Sequence, residues 1–555
     1  MKPFVEPLKQ EIQEAATAYI KRQIVQPIHH QGYLSYVSTG DRRAFESEYF
    51  SRRRQLAALA LAVDETADVE AIKLLSDVIW EICNEFTWAV PAHLPTKTTA
   101  LFQQAVPCID LFAAETGQAL SEIKYLIGSQ LDELLLQRID FEIERRIFHP
   151  FLAQHWFWET SGNNWSAVVA GSIGMAALYQ IDSGSSFQQE LLEKVAHCLQ
   201  NYLDSFEEDG ACLEGIGYWA YGFGYYIYFA ELYERLLGDD YYLTLPKVKQ
   251  IASFPQKVML TKRQFVLFSD YTESVLPTGL VTFCKERLHV AIPPVVTPNH
   301  LDDDHCYRFA HILRDVKWAK EHGGQEPTDG VTYLKDAQWL FARDAQTNCF
   351  LAAKGGSNTE SHNHNDVGHF IAGIDQTIFL TDLGAGEYVK TYFQKERYDF
   401  LTTSSKGHSV PIINGCFQQA GEYQAHQVKQ NKKQLQMELA EVYPKEAQLN
   451  EYLRTIDFTL SNGEINLTDS FVFTQSLNRV TENFVTLIEP KVRDNQVLMT
   501  TADRTYRLLF DTTEIEIQVV PYRNHRAETQ VAYLIQASYV VGKEAQVNVQ
   551  VTFDV

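Results

Sequence analysis

Two neighbouring runs, "PTDGVT" (327–332) and "WLFARDAQTNCFLAAKGG" (339–356), decide how the chain divides. Proline, aspartate and glycine in close succession end helices and favour turns, so the first run marks a boundary. The second run begins a series of short segments rich in alternation and β-branched residues. "HFIAGIDQTIFLTDLG" (369–384), "EYLRTIDFTLSNGEINLTDSFVF" (451–473) and "TEIEIQVVPY" (513–522) continue it, with turn residues such as "SNGE" (461–464) between strands. That pattern predicts an all-β region over 329–555, best fitted by a large antiparallel sandwich. Upstream the period changes. "RRRQLAALALAVDETADVEAIKLLSDVIWEICNEF" (52–86) and "LSEIKYLIGSQLDELLLQRIDFEIERRIF" (120–148) carry apolar residues at three- and four-residue spacing. Further helices are predicted at 164–181, 187–205 and 217–237. Successive helices with short connections suggest stacked hairpins over 1–328, as a solenoid or a closed α/α ring. No strict repeat separates those two forms. The fold class is multidomain α+β.

Composition bounds the function. At 555 residues the chain exceeds what one compact core holds, and 45% hydrophobic with 21% charged residues is ordinary for a globular protein. The 28 tyrosines and 32 phenylalanines fit a large core first and a carbohydrate cleft second. A formal charge of −23 argues against a nucleic-acid partner. An anionic substrate would need local cations to offset that field. The first residues, "MKPFVEPLKQEIQEAATAYI", contain Glu6, Glu11 and Glu14 and lack the apolar core of a secretion signal. No uncharged apolar run is long enough to span a membrane. The eight cysteines are scattered without a CxxC pair, which predicts reduced, mostly buried thiols and a cytoplasmic protein.

Chemistry concentrates in "SHNHNDVGH" (361–369), where three of the 17 histidines occupy nine positions. On a regular strand His362, His364 and Asp366 would share one face and His369 the other. His-x-His can bring two imidazoles to one metal, or can simply sit at a strand end as structural polar residues. Asp382 in "FLTDLGAGEY" (379–388) and His408 in "SSKGHSVPIING" (404–415) would complete a site of two histidines and a carboxylate. Such a set suits Zn²⁺ with one open position, with Asp366 as the competing carboxylate. In the helical half, "GNNWSAVVAG" (162–171) opens an apolar helix at Asn163 and Asn164, which read first as caps. "DGACLEGIGYWAYGFGYY" (209–226) places Tyr218 and Tyr221 in a glycine-rich aromatic run that reads first as a packed helix.

Taken with "RRIFHPFL" (145–152), "GGSNTESHNHNDVGHFI" (355–371), "RYDFLTTSSKGHSVPIING" (397–415) and "QQAG" (418–421), these stretches resemble the heparinase II/III-like superfamily of polysaccharide lyases. The motifs follow the family's order and span 145–421. The resemblance implies an N-terminal incomplete (α/α) toroid, a C-terminal antiparallel β-sandwich and an active site in the cleft between them. By the same resemblance Asn164 contacts the substrate's uronate carboxylate, Tyr218 transfers a proton and His362 is the catalytic histidine. His364, Asp382 and His408 are similar to the ligands of a structural Zn²⁺. Asn163 and Tyr398 are secondary catalytic candidates.

The implied reaction cleaves a 4-linked uronic acid by removing the C5 proton and expelling the C4 oxygen. An amide such as Asn164 can donate to the charge that grows on the uronate as the proton leaves. Tyr218 and His362 are the residue types able to move protons there. The expected partner is an anionic uronate-containing chain of glycosaminoglycan type, with oligoalginate as the alternative. A glycoside hydrolase on the same scaffold would need two facing carboxylates and leave Tyr218 and His362 idle. An inactive carbohydrate-binding protein is the other class considered. A zinc hydrolase would want an HExxH motif, which is absent.

Overall fold

The computed structural model describes residues 3–95, 103–271, 275–502 and 504–554. It divides into a helical unit, made of 1–206, 218–253 and 274–324, and a sheet unit, made of 207–217, 254–273 and 325–555. Segments 207–217 and 254–273, which the sequence reading assigns to the helical half, cluster with the strands instead. Hydrogen bonds to the sheet unit explain why. Asp209 Oδ2 accepts from the N–H groups of Asp336 and Ala337 at 2.8 and 3.1 Å, and the Tyr271 carbonyl accepts from Ala385 at 3.0 Å.

In the helical unit the long predicted helices break where local chemistry allows it. The 52–86 stretch forms Arg43–Thr66 and Val69–Asn84. Ala67 takes a left-handed turn between them, and Asp68 caps the second helix by accepting from the Ala71 N–H at 2.8 Å. Val69–Asn84 buries Ala71, Leu74, Leu75, Val78, Ile79, Ile82 and Cys83, the stripe its sequence period dictates. Each large aliphatic in that stripe contributes about 1.5–3 kcal/mol through burial. Asn164–Gln180 is buried on every side and packs against Leu111–Ile127, Ser186–Asp204 and Gly224–Leu237. The predicted helix at 217–237 is interrupted by a π-turn at Trp219–Phe223, directly after Tyr218. No described helix is long and apolar enough to cross a membrane.

The sheet unit is antiparallel throughout. A five-stranded meander runs in chain order from Gly330–Leu334 to Thr377–Leu380. An eight-stranded sheet has Pro490–Arg493 and His426–Asn431 at its edges and Glu464–Phe473 between Glu544–Phe553 and Leu449–Thr459. A four-stranded sheet joins Ile515–Arg523, Thr529–Val541, Asn478–Thr486 and the short Ile412–Ile413. Leu351 and Phe370 of the meander, Ile456 and Leu467 of the large sheet, and Val480 and Ile535 of the small one share one apolar core. Strands that alternate inward apolar and outward polar residues account for it. In Glu464–Phe473, Ile465, Leu467, Asp469, Phe471 and Phe473 point inward. Asp469 is tolerated there because Arg454 pairs with it, at 2.5 Å and fully buried.

Candidate functional site

Residues 361–369 are not a strand. They form turns, and the strand Phe370–Ile374 starts only after His369. His362 has φ +55°, in the left-handed region. Several of the loop's backbone groups bond to neighbouring loops rather than to a ladder. Gln418, from "QQAG", accepts from the Val367 N–H at 3.0 Å and donates to its carbonyl at 2.7 Å. The Asn365 N–H donates to the Thr403 carbonyl at 2.9 Å. Strict face alternation, expected from the sequence, therefore does not apply.

The residue that organises the loop is Asp270, which sequence reasoning missed. Its fully buried carboxylate accepts from His362 Nδ1 (3.0 Å) and Arg397 Nη2 (2.8 Å) at Oδ2, and from His364 Nε2 (3.1 Å) and the Tyr392 hydroxyl (2.6 Å) at Oδ1. Burial pushes its pKa up, but the donors His362 and His364 and the Arg397 charge outweigh that and hold it well below the usual carboxylate range. His362 Nε2 faces the other way, 3.7 Å from Glu214 Oε1, and its ring is 18% exposed. The Tyr398 hydroxyl donates to Asn363 Oδ1 at 2.7 Å. No local spacing announces Asp270, because its partners lie 92 and more positions away.

The predicted ligands do come together. One donor atom each from His364, Asp366, Asp382 and His408 lies within 4.8 Å of the others, all buried. Their outer partners select one tautomer for each neutral ring. His408 Nδ1 donates to the Ser404 carbonyl at 2.9 Å, which leaves Nε2 as a lone pair. His364 Nε2 donates to Asp270, which leaves Nδ1 as a lone pair. Those two free nitrogens face each other at 3.2 Å. Asp382 adds an oxygen 3.5 Å from His408 Nε2 and another 3.9 Å from His364 Nδ1. Oδ1 of Asp382 already accepts from the Gly384 N–H at 2.8 Å, whereas buried Oδ2 has no hydrogen-bond partner. Lone pairs this close repel unless a cation sits among them. Ligands about 2.0–2.1 Å from a tetrahedral metal stand roughly 3.3 Å apart, so the donor set fits one divalent ion with nitrogen and oxygen ligands.

The electrostatics show the same demand for positive charge within the cluster. Burial pushes Asp382 up, but His408, His369 and His364 hold its carboxyl well below the usual range. Burial pushes His408 down, and the Asp382 carboxylate reverses this to a net rise. His369, expected to be a bystander on the opposite face, instead joins the cluster. Its Nδ1 accepts from the Ser409 N–H at 2.8 Å, and burial drives its pKa down to about 3, so Nε2 carries the hydrogen. That N–H lies 3.5 Å from Asp382 Oδ2 and makes His369 a support for the carboxylate, not a ligand. Asp366, the competing carboxylate, is paired with the buried Lys354 ammonium at 2.9 Å.

In the helical unit, Asn163 is the N-cap of Asn164–Gln180 and accepts from the Trp165 N–H at 3.1 Å. Asn164 is the first helical residue and only 2% exposed. The π-turn following Tyr218 packs against it: a Cβ on Gly222 would lie 3.2 Å from both Asn164 Cα and Cβ. Asn164 and the turn of Tyr218 are thus neighbours, and π-turns of this kind are frequent at functional sites.

These features define the class of fold, that of the heparinase III and chondroitin AC polysaccharide lyases, which are the chain's structural neighbours. Heparinase III superposes over 100% of this chain and 92% of its own, with TM-score 0.65 and 11% identity. Heparan sulfate lyase HepC from Pedobacter heparinus matches over 99% of this chain and 83% of its own, with TM-score 0.63 and 12% identity. Chondroitin AC lyase from Streptomyces coelicolor matches over 100% and 80%, with TM-score 0.54 and 8% identity. No protein-family description and no curated protein sequence matches the chain. At these identities the likeness is one of fold.

Proposed function

We propose that the protein is a lyase that cleaves 4-linked uronic acid glycosides by β-elimination. In this reading the helical unit forms an incomplete toroid presenting Asn164 and Tyr218, and the sheet unit forms a sandwich presenting His362. The observation that carries the proposal is the His362–Asp270 pair. A buried carboxylate holds Nδ1 of a partly exposed imidazole, so Nε2 is the atom offered for proton transfer. Asn164 donates its amide hydrogens to the uronate carboxylate as C5 loses its proton, a contribution worth roughly 10²–10³ in rate for one well-placed donor. Tyr218 protonates the departing C4 oxygen, and His362 takes the C5 proton or stabilises the charge left behind. Elimination needs no activated water. We assign His364, Asp382 and His408 to a structural Zn²⁺, a reading supported by the facing lone pairs and the orphaned Asp382 oxygen. The ion would neutralise that oxygen and fix the loop bearing His362.

For substrate we propose a glycosaminoglycan-type chain or its fragments, supported by the heparan sulfate and chondroitin lyases among the structural neighbours. Oligoalginate is the alternative. The eight unpaired thiols support the cytoplasmic location inferred from sequence, which belongs to the same proposal. The test is a panel of heparan, chondroitin, hyaluronan and alginate oligosaccharides, followed by the ultraviolet absorbance of the new conjugated double bond. Tyr218→Phe and His362→Ala should each lower the rate by about 10²–10⁴. Absence of absorbance on every substrate, or full activity in both variants, would end the lyase reading.

A further inference from the structure

We propose that Asp270 is a positioning residue that sets opposite tautomers in the two histidines of "SHNH", sending His362 to the substrate and His364 to the metal. Its rate arm rests on the lyase reading above; its metal and spectroscopic arms do not.

One buried carboxylate orients four donors. Each oxygen of Asp270 accepts from one imidazole and one further group: His362 and Arg397 at Oδ2, His364 and Tyr392 at Oδ1. With no solvent at the carboxylate, an imidazole nitrogen facing it must carry hydrogen. His362 turns Nδ1 to Asp270 and His364 turns Nε2. In the neutral rings the same anion leaves Nε2 of His362 and Nδ1 of His364 as the lone pairs. The first lies 3.7 Å from Glu214 Oε1 on a ring that is 18% exposed, and the second meets His408 Nε2 at 3.2 Å. Arg397 adds rigidity, because the guanidinium that binds Asp270 also donates to the Asn363 carbonyl at 2.9 Å, between the two histidines. Carboxylates that accept the remote N–H of a ligating histidine typically change metal affinity 10–100-fold. Carboxylates that orient a catalytic imidazole can change kcat by about 10⁴. Asp270 does both at once.

Asp270→Asn separates this from a merely structural role. An amide has one acceptor oxygen, so one histidine meets an NH₂ group and must reverse its tautomer. Expected results are a cooperative melt, one Zn²⁺ bound at saturation with Kd raised about 10–100-fold, and kcat lowered about 10²–10⁴-fold with KM changed less than about threefold. A structural defect would instead lower the zinc stoichiometry and the active fraction together, with Kd and KM of the remaining molecules unchanged, and that outcome overturns the proposal. Unchanged zinc Kd with unchanged kcat overturns it equally. If the variant does not fold, long-range ¹H–¹⁵N spectra of histidine-labelled wild type decide. With the His362 signal assigned by its loss in His362→Gln, protonated Nδ1 supports the proposal and unprotonated Nδ1 overturns it. If wild type is inactive on every uronate substrate, the lyase reading fails while zinc Kd and the spectra still judge Asp270.

Discussion

Asp382→Asn is the most informative single perturbation of the buried cluster. The amide is isosteric and its oxygen can keep the bond from the Gly384 N–H, 2.8 Å in the native protein. The amide nitrogen would then stand where Oδ2 lies, 3.5 Å from the unprotonated Nε2 of His408. A donor then faces the His408 lone pair but also the His369 N–H, 3.5 Å away, that supported Oδ2, so the apoprotein should fold with some loss of stability. The larger cost falls on metal binding. Removing the one anionic ligand should raise the zinc Kd by at least about 100-fold, or about 2.7 kcal/mol. At free zinc 100 times the wild-type Kd, the native protein gains about 2.7 kcal/mol from binding. The variant, then at its own Kd, gains only RT ln 2, about 0.4 kcal/mol. For a unit of this size each kcal/mol moves Tm by about 2–4 °C. Zinc should therefore raise the wild-type transition by roughly 5–11 °C and that of the variant by about 1–2 °C. Thermal melts with and without zinc, after chelator treatment and dialysis, measure both. Equal shifts in the two proteins, or no shift in wild type, would refute the assignment. The second outcome would mean that a shared proton, not a metal, separates the facing nitrogens.

Two further perturbations follow from particular contacts. His311 is buried, with the Tyr228 hydroxyl 2.7 Å from Nδ1, and burial lowers its pKa from 6.5 to about 3. Above pH 6.5 the group is neutral whether folded or unfolded, so its contribution to stability is fully present there. Below that, only the unfolded chain takes the proton. Stability of the helical unit should fall as pH drops from 6.5 toward 3, by about 1.4 kcal/mol per unit and at most about 5 kcal/mol. His311→Gln, melted across the same range, should lose stability with a shallower slope, and an identical slope would remove His311 from the account. Gly384→Ala tests the turn after Asp382. Gly384 has φ +62° and its missing Cβ would stand 2.4 Å from the Tyr271 carbonyl. The substitution should destabilise by about 1–3 kcal/mol in a urea titration and weaken zinc binding as well, whereas unaltered zinc affinity would show that the turn does not hold the ligand in place.

The helix-then-strand division was legible because period is a local property. Val69–Asn84 and Glu464–Phe473 each bury the stripe that their own spacing dictates. What escaped was anything decided by a distant partner. Residues 254–273 carry no strand signal, and their place in the sheet unit depends on bonds such as Ala385 N–H to the Tyr271 carbonyl. The π-turn after Tyr218 was hidden by an aromatic run that reads as an ordinary helix, although its glycines hinted at close packing. The trio His364, Asp382 and His408 could be picked out by the His-x-His spacing together with the family resemblance, which favours Asp382 over Asp366. Asp270 could not, because an isolated aspartate in "FSDY" looks like any turn residue.

The same distinction explains the error over residues 361–369. On a strand, residues two apart stand about 6.6 Å from each other with parallel side chains. Two histidines so placed would point the same way, and both would serve the metal or both the substrate. Dividing the labour requires the backbone to turn between them, and His362 does so at φ +55°. A non-glycine residue there costs on the order of 1 kcal/mol. That cost is offset by the hydrogen bonds the turn makes possible, since it allows both rings to reach one buried carboxylate from different sides. A loop is thus not a failed strand at this position. It is the conformation that lets the two rings of His-x-His meet one carboxylate through different nitrogens, Nδ1 of His362 and Nε2 of His364.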